Sequence, residues 1–345
     1  APKGAMLSEA GCVRSAFLTW QHWFGGEPAM RALAQHPINH VSWLVCECLA
    51  VLVGGGALFF RERFDGGASL QLIEDHRLTL WLAFPTMVAL AMQSEEWERA
   101  DLSSLRRIAF ASSPQLELMK RFRERSGCVF STSYGLTEAH GGAVTATDAD
   151  ASLTEVAASI GRPVPGLGIR IVDEAGAEVE AGNPGELLIR EETVFLGYLN
   201  RPGATAETVD QDGWLHTGDI VREVAGKALE LVGRTKEMFK SGGYNVYPPE
   251  VEGVIGGHRT VIQAVVVDAP DPLWSAVGVA YLVPAEPSSF DKAELLAYVR
   301  SQLANYKVPK HIVVMKELPR LGNGKVDRSL LREQAKSLVA TDGPG

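Results

Sequence analysis

The sequence predicts an α/β unit over residues 1–155, a β-rich unit over residues 156–234 and a small α+β unit over residues 235–345. In the first range, short apolar runs alternate with amphipathic helical stretches, a pattern typical of a sheet covered by helices. In the second range, short alternating strands are separated by Gly, Pro and Asn turn signals. The third range mixes helical and strand periodicities, so we expect it to form a compact unit of its own.

The first range contains a helix that is predicted to begin near Ser8, because Ser8 can cap its first turn. Apolar residues recur there with helical spacing, which predicts one buried face made of Cys12, Val13, Ala16, Phe17, Trp20 and Phe24. A strand over 107–111 precedes a helix over 115–126, which Gly127 closes, and a strand over 128–131 follows.

The β-rich range predicts strands over 169–172 and 186–189. The last range predicts a helix over 249–255, strands over 261–267 and 277–283, and an amphipathic helix that carries Leu295, Leu296, Val299 and Leu303. Residues 339–345 are predicted to form a disordered tail.

Composition excludes several classes of protein. Of 345 residues, 46% are hydrophobic and 22% are charged, with a mean hydropathy of +0.01, so most of the chain is expected to fold. The 33 Lys and Arg residues against 42 Asp and Glu residues give a net charge of −9 without a long basic run, so no nucleic-acid partner is predicted. Glu47 and the glycines at 54–56 interrupt the most apolar stretch, so no transmembrane segment is predicted.

The cysteines and the first residues bear on where the protein acts. The 4 cysteines form no Cys-x-x-Cys pair and have no nearby His-x-x-x-His, which argues against a metal site or a disulfide framework. A cytoplasmic location is therefore predicted. Residues Ala1 to Gly4 resemble neither a secretory leader nor a natural start, so we expect the true chain to begin earlier.

The first motif that can carry chemistry is Tyr134-Gly135-Leu136-Thr137-Glu138, which follows a predicted strand. Tyr134 can stack on a purine, Gly135 allows the backbone to approach a ligand, and Thr137 can donate to a phosphate oxygen. Glu138 offers the hard oxygen ligands that Mg²⁺ prefers. Taken alone, a polar turn after a strand explains the same residues.

Three further segments follow this motif in order. They are Gly213-Trp214-Leu215-His216-Thr217-Gly218-Asp219, Gly233-Arg234-Thr235-Lys236-Glu237 and Gly322-Asn323-Gly324-Lys325-Val326-Asp327-Arg328. Together the motifs resemble the signature of the adenylate-forming superfamily, which comprises the acyl-CoA synthetases and their luciferase and peptide-synthetase relatives. Segments 197–202 and 247–252 match the same signature. By this resemblance the chain is identified as a member of the superfamily, with an acyl-CoA synthetase-like fold.

The resemblance implies roles for residues of the later motifs. Asp219 matches the carboxylate that accepts the ribose hydroxyls of AMP, and Arg234 matches the arginine that reaches the ribose and the α-phosphate. Lys325 matches the catalytic lysine that bridges the acyl carboxylate and the α-phosphate. Without the resemblance, these residues would be explained as a turn-capping Asp, a surface ion pair and a solvated Lys.

The resemblance also implies residues around the nucleotide and the acyl group. Lys3 matches the end of the family's phosphate loop, and Ser113 lies in the segment beside the adenine and the acyl group. His40 matches a residue that borders the acyl pocket, although a single His is more often structural.

Other matched residues concern the second half-reaction. Lys236 matches the hinge at which the C-terminal domain swings between the half-reactions. Lys240 and Gly243 lie in the loop that the family presents to the thioester-forming step. For Lys240 an ordinary surface loop is an equally good explanation, whereas the bare backbone of Gly243 would let a pantetheine arm pass.

The resemblance implies an AMP-forming carboxylate:CoA ligase that uses ATP, Mg²⁺ and coenzyme A. A small-molecule carboxylic acid would react with MgATP to give acyl-AMP and pyrophosphate, and the CoA thiol would then take the acyl group. One alternative acceptor is the pantetheine of a carrier protein. A second alternative is a catalytically silent acyl-AMP binding module, because the sequence begins inside the phosphate loop at Ala1-Pro2-Lys3-Gly4 and is expected to lack the lobe before it.

Overall fold

The computed structural model describes residues 3–112, 114–190, 193–321 and 326–342. The chain divides into two compact units. The first unit is Ala1–Thr217 together with Val221–Leu231, and the second is Gly218–Ile220 together with Val232–Gly345. The division into three parts at residues 155 and 234 stays a prediction.

The first unit is built from short strands and helices. Its strands are β1 (Ala5–Met6), β2 (Arg31–Ala34), β3 (Ala57–Phe60), β4 (Leu80–Ala83), β5 (Arg107–Phe110), β6 (Val129–Tyr134), β7 (Thr145–Ala146), β8 (Arg162–Pro163), β9 (Gly168–Val172), β10 (Gly185–Arg190) and β11 (Gly197–Tyr198). Its helices are α1 (Glu9–Leu18), α2 (Ala50–Val53), α3 (Gly66–Asp75), α4 (Pro85–Ala91), α5 (Leu116–Ser126), α6 (Leu153–Ala158) and α7 (Pro202–Thr208). A π-helical segment over Thr19–Trp23 directly follows α1, and a second one over Trp43–Leu49 directly precedes α2.

A sheet of the first unit has the order β3-β2-β4-β5-β6-β7-β8. Strands β3, β2, β4, β5 and β6 are parallel, and β7 and β8 continue the sheet antiparallel. The carboxyl ends of the parallel strands therefore meet at one edge, where ligands bind in open α/β sheets. Tyr134, the first residue of the predicted nucleotide motif, is the last residue of β6.

The parallel strands are buried on both faces, which explains their continuous apolar character. Side chains alternate between the faces of a strand, so neighbouring residues enter two different cores. One core, shared with α3 and α5, contains Leu33, Trp81, Ile108 and Phe110. The other core, shared with α1 and α2, contains Ala32, Leu80, Leu82 and Ala109.

Helix α1 begins where predicted, and the predicted buried face is only partly correct. The Ser8 hydroxyl accepts a hydrogen bond from the Gly11 N–H at 3.0 Å, which confirms the predicted cap. Val13 and Phe17 were expected to be buried, yet they are 57% and 37% exposed. The buried residues of the helix are Gly11, Ser15, Ala16 and Leu18. Of the predicted face, Ala16 and Phe24 are buried and Cys12 and Trp20 pack against the same core, so the prediction is confirmed at these four positions and is wrong at Val13 and Phe17.

Other local predictions are confirmed. Helix α5 ends at Gly127, whose φ of 67° is the left-handed conformation that glycine adopts without strain. The predicted strands over 169–172 and 186–189 correspond to β9 and β10. These two strands form a sheet of order β13-β12-β10-β9 with β12 (Leu215–Glu223) and β13 (Leu229–Arg234).

The second unit contains a mixed sheet with helices on both of its faces. Its elements are β14 (Phe239–Ser241), β15 (Tyr244–Val246), α8 (Pro248–Gly256), β16 (Val261–Asp271), β17 (Ser275–Pro284), α9 (Lys292–Gln302), β18 (His311–Val314) and α10 (Arg328–Asp342). The strand order is β15-β14-β17-β16, and β18 pairs with β17 in parallel. Helices α8 and α9 share one core with the sheet and α10 shares another.

The C-terminal end of the second unit differs from the prediction. Residues 339–342 were expected to be disordered, but they form the last part of α10. The reason is that Leu331 and Ala335 of this helix are buried against the sheet, which stabilises a helix that the composition of its end does not favour. No helix within the described ranges is long and apolar enough to span a bilayer.

Candidate active site

The predicted nucleotide motif forms the turn that leaves β6. The Ser133 hydroxyl donates to the Thr145 carbonyl at 2.7 Å, and the Val144 N–H donates to the Tyr134 carbonyl at 2.9 Å, so the end of β6 is held against β7. Thr137–Ala139 then form a single 3-10 turn. Tyr134 and Thr137 are both half-buried at the carboxyl edge of the sheet.

Gly135 is required by the protein backbone itself. A Cβ atom at this position would overlap the carbonyl oxygen of Gly142, which is part of the main chain and cannot move aside easily. Gly135 was expected to allow the approach of a ligand. The structure gives a second reason for the glycine, namely close packing of two backbone segments within the motif.

Tyr198 contacts both Glu138 and Lys3, two predicted site residues that lie far apart in the sequence. Its hydroxyl donates to Glu138 Oε1 at 2.5 Å, and the Lys3 Nζ atom lies 4.0 Å from the centroid of its ring. Burial and the hydrogen bond to Glu138 raise the pKa of Tyr198 to about 12, so it stays a donor at neutral pH. β1 pairs with β11 in the register Ala5 to Tyr198, which brings the N-terminal segment to this position.

The Glu138 turn is compatible with Mg²⁺ that arrives with a nucleotide. Tyr198 occupies Oε1 of Glu138, so a cation would take the second carboxylate oxygen. Within the described ranges, no cluster of three or more His, Cys, Asp and Glu side chains could hold a metal ion. Mg²⁺ commonly binds to one or two carboxylates together with substrate phosphates, and a single well-oriented carboxylate suits that mode.

In the second unit, Asp219 and Arg234 contact each other. Arg234 Nε donates to Asp219 Oδ1 at 2.8 Å, since β12 and β13 are neighbours in one sheet. Asp219 is 2% exposed, whereas the Arg234 side chain is 62% exposed. The arrangement gives a fixed, buried carboxylate with a guanidinium reaching towards solvent, a combination that can bind hydroxyl and phosphate groups.

The loop predicted for the thioester step is the tight turn between β14 and β15. Gly242 and Gly243 have φ values of 59° and 87°, so both adopt the left-handed conformation. The Gly242 N–H donates to the Trp274 carbonyl at 2.9 Å, which fixes the turn beside the β16–β17 hairpin. Lys240, in β14, is exposed, and so is Lys236 in the turn after β13.

Three predicted site residues remain, namely His40, Ser113 and Lys325. His40 is exposed, and its Nδ1 atom accepts a hydrogen bond from the Ser42 N–H at 3.2 Å, so it caps the start of the following helical segment. Ser113 and Lys325 lie outside the described residues.

Arg328 is a residue whose role the sequence did not suggest. Its Nη1 atom donates to the Val266 carbonyl at 3.0 Å and its Nη2 atom donates to Glu252 at 2.8 Å, while Glu237 lies 3.7 Å from Nε. Burial opposes its charge, but the hydrogen bond to Glu252 and the two carboxylates raise the pKa of Arg328 overall. Arg328 thus anchors the chain that follows the predicted catalytic loop.

The sequence analysis gave no role to Tyr198 or Arg328, although both lie in segments that match the family signature. Tyr198 lies in the matched segment 197–202, and Arg328 ends the last motif. Neither signal identifies a contact, because Tyr198 is separated from Glu138 by 60 positions and Arg328 from Glu252 by 76.

Comparison with known families agrees with this arrangement of a nucleotide motif and a compact C-terminal unit. The family model described as AMP-binding enzyme matches residues 1–199, and the model described as AMP-binding enzyme C-terminal domain matches residues 250–325. The chain therefore belongs to the AMP-binding enzyme family. The superfamily that the motifs predicted is confirmed.

Named relatives extend the comparison. A feruloyl-CoA synthase of Amycolatopsis sp is 37% identical over 338 residues, which cover 96% of this chain and 67% of the relative. An indoleacetate–CoA ligase of Aromatoleum aromaticum is 34% identical over 333 residues, which cover 96% of this chain and 64% of the relative. The chain thus spans about two thirds of the length of these relatives.

Solved structures confirm the predicted fold class. ATP-bound MatB from Rhodopseudomonas palustris superposes with a TM-score of 0.86 at 27% identity, covering 97% of this chain and 66% of that one. The amide bond synthetase McbA from Marinactinospora thermotolerans gives a TM-score of 0.87 at 29% identity, covering 97% of this chain and 68% of that one.

Proposed function

We propose that this protein is an AMP-forming carboxylate:CoA ligase. The observation that carries the proposal is the contact of Tyr198 with Glu138, in which the motif carboxylate is oriented by a hydroxyl while Lys3 lies over the same ring. Glu138, the proposed cation ligand, and Lys3, the proposed phosphate-binding residue, thus contact the same side chain, which supports a reaction of ATP at this position. Relatives that are named as CoA ligases support the proposal.

The first half-reaction joins a carboxylic acid to AMP. A carboxylate oxygen attacks the α-phosphorus of ATP, the bond from that phosphorus to the bridging oxygen breaks, and pyrophosphate leaves with the electron pair. Mg²⁺, when bound, neutralises charge on the phosphates. Glu138 would hold it, Thr137 and Lys3 would bind phosphate oxygens, and Lys325 would offset the repulsion between the carboxylate and the α-phosphate.

The nucleotide itself would be held by the predicted AMP-binding residues. Tyr134 would stack on the adenine, Asp219 would accept the ribose hydroxyls, and Arg234 would contact the α-phosphate region. Ser113 would border the adenine and His40 the acyl pocket.

The second half-reaction transfers the acyl group to a thiol. The sulfur attacks the acyl carbonyl, the thiol proton is lost to a base, and AMP leaves with the oxygen of the broken anhydride bond. Lys240 and Gly243 are proposed to face the acceptor, and Lys236 is proposed to be the hinge residue. Coenzyme A is the proposed acceptor, with a carrier-protein pantetheine as the alternative, and the cytoplasmic location remains a prediction.

Relatives are named for aromatic acids such as ferulate, indoleacetate and 4-coumarate and also for non-aromatic ones such as a long-chain fatty acid and sulfoacetate, so the proposal extends to a carboxylic acid and not to one class of acid. The test measures pyrophosphate release from MgATP with aromatic and aliphatic carboxylic acids, followed by thioester formation with free CoA or with a pantetheine-carrying protein. Acid-dependent pyrophosphate release and an acyl-CoA product are expected. Pyrophosphate release with no acid, or none with any acid, would contradict the proposal.

A further inference from the structure

His140 is a completely buried polar side chain that the proposed reaction does not use. It follows Glu138 by two residues, its exposed fraction is 0%, and its φ of 59° places it in the left-handed region. A non-glycine residue is strained in this conformation, so the surrounding contacts must hold it there.

The two ring nitrogens of His140 have different partners. Nδ1 lies 2.7 Å from the Thr193 carbonyl oxygen, and Nε2 lies 2.9 Å from the Ser8 backbone nitrogen. A carbonyl only accepts a hydrogen bond, so Nδ1 must carry the proton. A backbone N–H only donates, so Nε2 must be unprotonated. These contacts together fit the tautomer that carries its proton on Nδ1.

The His140 ring packs closely against α1. Gly11 of α1 lies directly against it, and a Cβ atom at that position would overlap the imidazole. Through its hydrogen bond with Ser8, the ring therefore connects the start of α1 to the turn that contains Glu138. Through its hydrogen bond with the Thr193 carbonyl, it also connects that turn to the segment that begins at Thr193.

The segment from Thr193 to Tyr198 holds Glu138 by both its main chain and its side chain. The Phe195 N–H donates to the Glu138 carbonyl at 2.8 Å, and the Tyr198 hydroxyl donates to the Glu138 carboxylate. His140 binds the Thr193 carbonyl at the start of the same segment, so the segment connects the His140 ring to the Glu138 carboxylate.

We propose that His140 is a positioning residue, which acts through the 193–198 segment to orient the Glu138 carboxylate towards the metal–nucleotide complex. The proposal rests on the proposed function, in which Glu138 contributes to Mg²⁺ binding. Residues that orient metal ligands affect metal affinity or activity by about 10- to 100-fold when they are replaced.

Two substitutions separate the two contacts of the ring. In His140→Asn the side-chain amide replaces Nδ1, so the Thr193 contact is kept, and Asn tolerates the left-handed φ. In His140→Gln the side-chain amide replaces Nε2, so the Ser8 contact is kept and the Thr193 contact is lost. Gly11→Ala is a third variant, which displaces the ring without changing His140.

A matched control reports on stability alone. Ser152 caps α6 by accepting a hydrogen bond from the Glu155 N–H at 3.2 Å, and Ser152→Ala should lower the stability of the first unit without touching the Glu138 turn. Each variant is measured for acyl-AMP formation against Mg²⁺ concentration, for thioester formation from supplied acyl-AMP, and for Mn²⁺ binding in the presence of ATP by electron paramagnetic resonance.

We expect His140→Gln and Gly11→Ala to raise the Mg²⁺ concentration for half-maximal acyl-AMP formation, and to weaken Mn²⁺ binding with ATP, by about tenfold. Thioester formation from acyl-AMP should change little, because that step needs no metal–nucleotide complex. His140→Asn should behave nearly as the unsubstituted protein does. Ser152→Ala should leave both measurements unchanged.

Equal losses in both half-reactions, or the same Mg²⁺ dependence in all variants, would overturn the proposal. If the substituted proteins do not fold, the histidine nitrogen resonances of the unsubstituted protein decide, because a ring protonated on Nε2 contradicts the geometry. Absence of acyl-AMP in the unsubstituted protein with every acid would instead overturn the proposed function, and Mn²⁺ binding with ATP would still test His140.

Discussion

The orientation of the Glu138 carboxylate depends on one neighbouring side chain, Tyr198. A carboxylate on a turn can point in several directions, and Tyr198 selects one by donating to Oε1. The Tyr198 side chain is almost fully buried, and its raised pKa keeps the donor proton in place. Contacts within the first unit therefore orient the Glu138 carboxylate.

Tyr198→Phe tests this preparation. The substitution keeps the ring beneath Lys3 and removes only the donor, so the loss of stability should be about 1 kcal/mol. The Mg²⁺ concentration needed for half-maximal acyl-AMP formation should rise by about tenfold, because the carboxylate loses its fixed orientation. Titration of the rate with Mg²⁺ checks the expectation, and an unchanged titration curve would rule out the orienting role.

Lys325→Ala tests the residue that the resemblance identifies as catalytic. A cation that offsets the repulsion between two anions matters only while the carboxylate approaches the α-phosphate. Acyl-AMP formation should therefore fall by several orders of magnitude, and thioester formation from supplied acyl-AMP should persist. Stopped-flow measurement of each half-reaction separates the two. Equal losses in both would remove Lys325 from this role.

At the scale of secondary-structure elements, the residues that follow Lys325 are held by contacts with other elements of the second unit. Val326 forms an isolated bridge with Arg320, and Arg328 at the start of α10 binds Val266 and Glu252. Glu252 also accepts from the Val266 N–H at 2.7 Å, so one carboxylate joins α8, β16 and α10. Lys325 lies one residue before this fastened section.

Arg328→Gln should loosen that section. The substitution removes the positive charge that both Glu252 and Glu237 contact, so the free energy of unfolding should fall by about 1–3 kcal/mol. Acyl-AMP formation should fall more than thioester formation, because the section that directly follows Lys325 loses its anchor. Urea unfolding and the two half-reaction rates check this result. Arg300→Gln, at an exposed position of α9, is the control and should change neither quantity.

At the scale of the whole molecule, the chain passes between its two compact units close to the predicted hinge. The second unit takes up the chain at Val232, four residues before Lys236. Lys236 is exposed in a turn, while the Glu237 and Met238 N–H groups both donate to the Arg234 carbonyl. A backbone rotation at Lys236 would leave its exposed side chain in solvent, and its cost would be the two main-chain hydrogen bonds to Arg234.

Lys236→Pro should permit one half-reaction and block the other. Proline holds φ near about −65°, whereas a hinge must change its dihedral angles. Rates of acyl-AMP formation and of thioester formation, measured separately, check the expectation. Lys236→Ala is the control, since it removes the side chain and leaves the backbone free to rotate. Near-normal turnover of the proline variant would remove Lys236 from the hinge.

Alkaline pH should destabilise the first unit through its buried thiols. Burial raises the pKa of Cys46 to about 12 and that of Cys128 to about 11, from the usual 9.0. Above pH 9.0 the unfolded chain releases these protons and the folded chain retains them, so the free energy of unfolding should fall as the pH rises. The slope is at most about 1.4 kcal/mol per pH unit for each thiol.

Urea unfolding between neutral pH and mildly alkaline pH measures this slope. Replacing Cys46 with Ala should make the curve flatter above its usual pKa, although the variant will be less stable at neutral pH because of the cavity that it creates. A curve with the same slope in the variant would show that Cys46 does not contribute.

The sequence alone determined the features that depend on neighbours along the chain. Ser8 and Gly127 mark helix ends because caps act within one turn, and the motifs of Glu138, Asp219 and Arg234 are recognisable because each is a short contiguous segment. The family and the fold class follow from the order of those segments.

Only the tertiary structure decided which residues support the motifs. Tyr198 reaches Glu138 across 60 positions, and His140 reaches Thr193 across 53 and Ser8 across 132. The face of α1 was likewise decided by its neighbours, since Gly11 packs against His140 while Val13 remains exposed. The physical reason is that local spacing specifies the period of an element, whereas the partner of each side chain depends on how distant segments fold together.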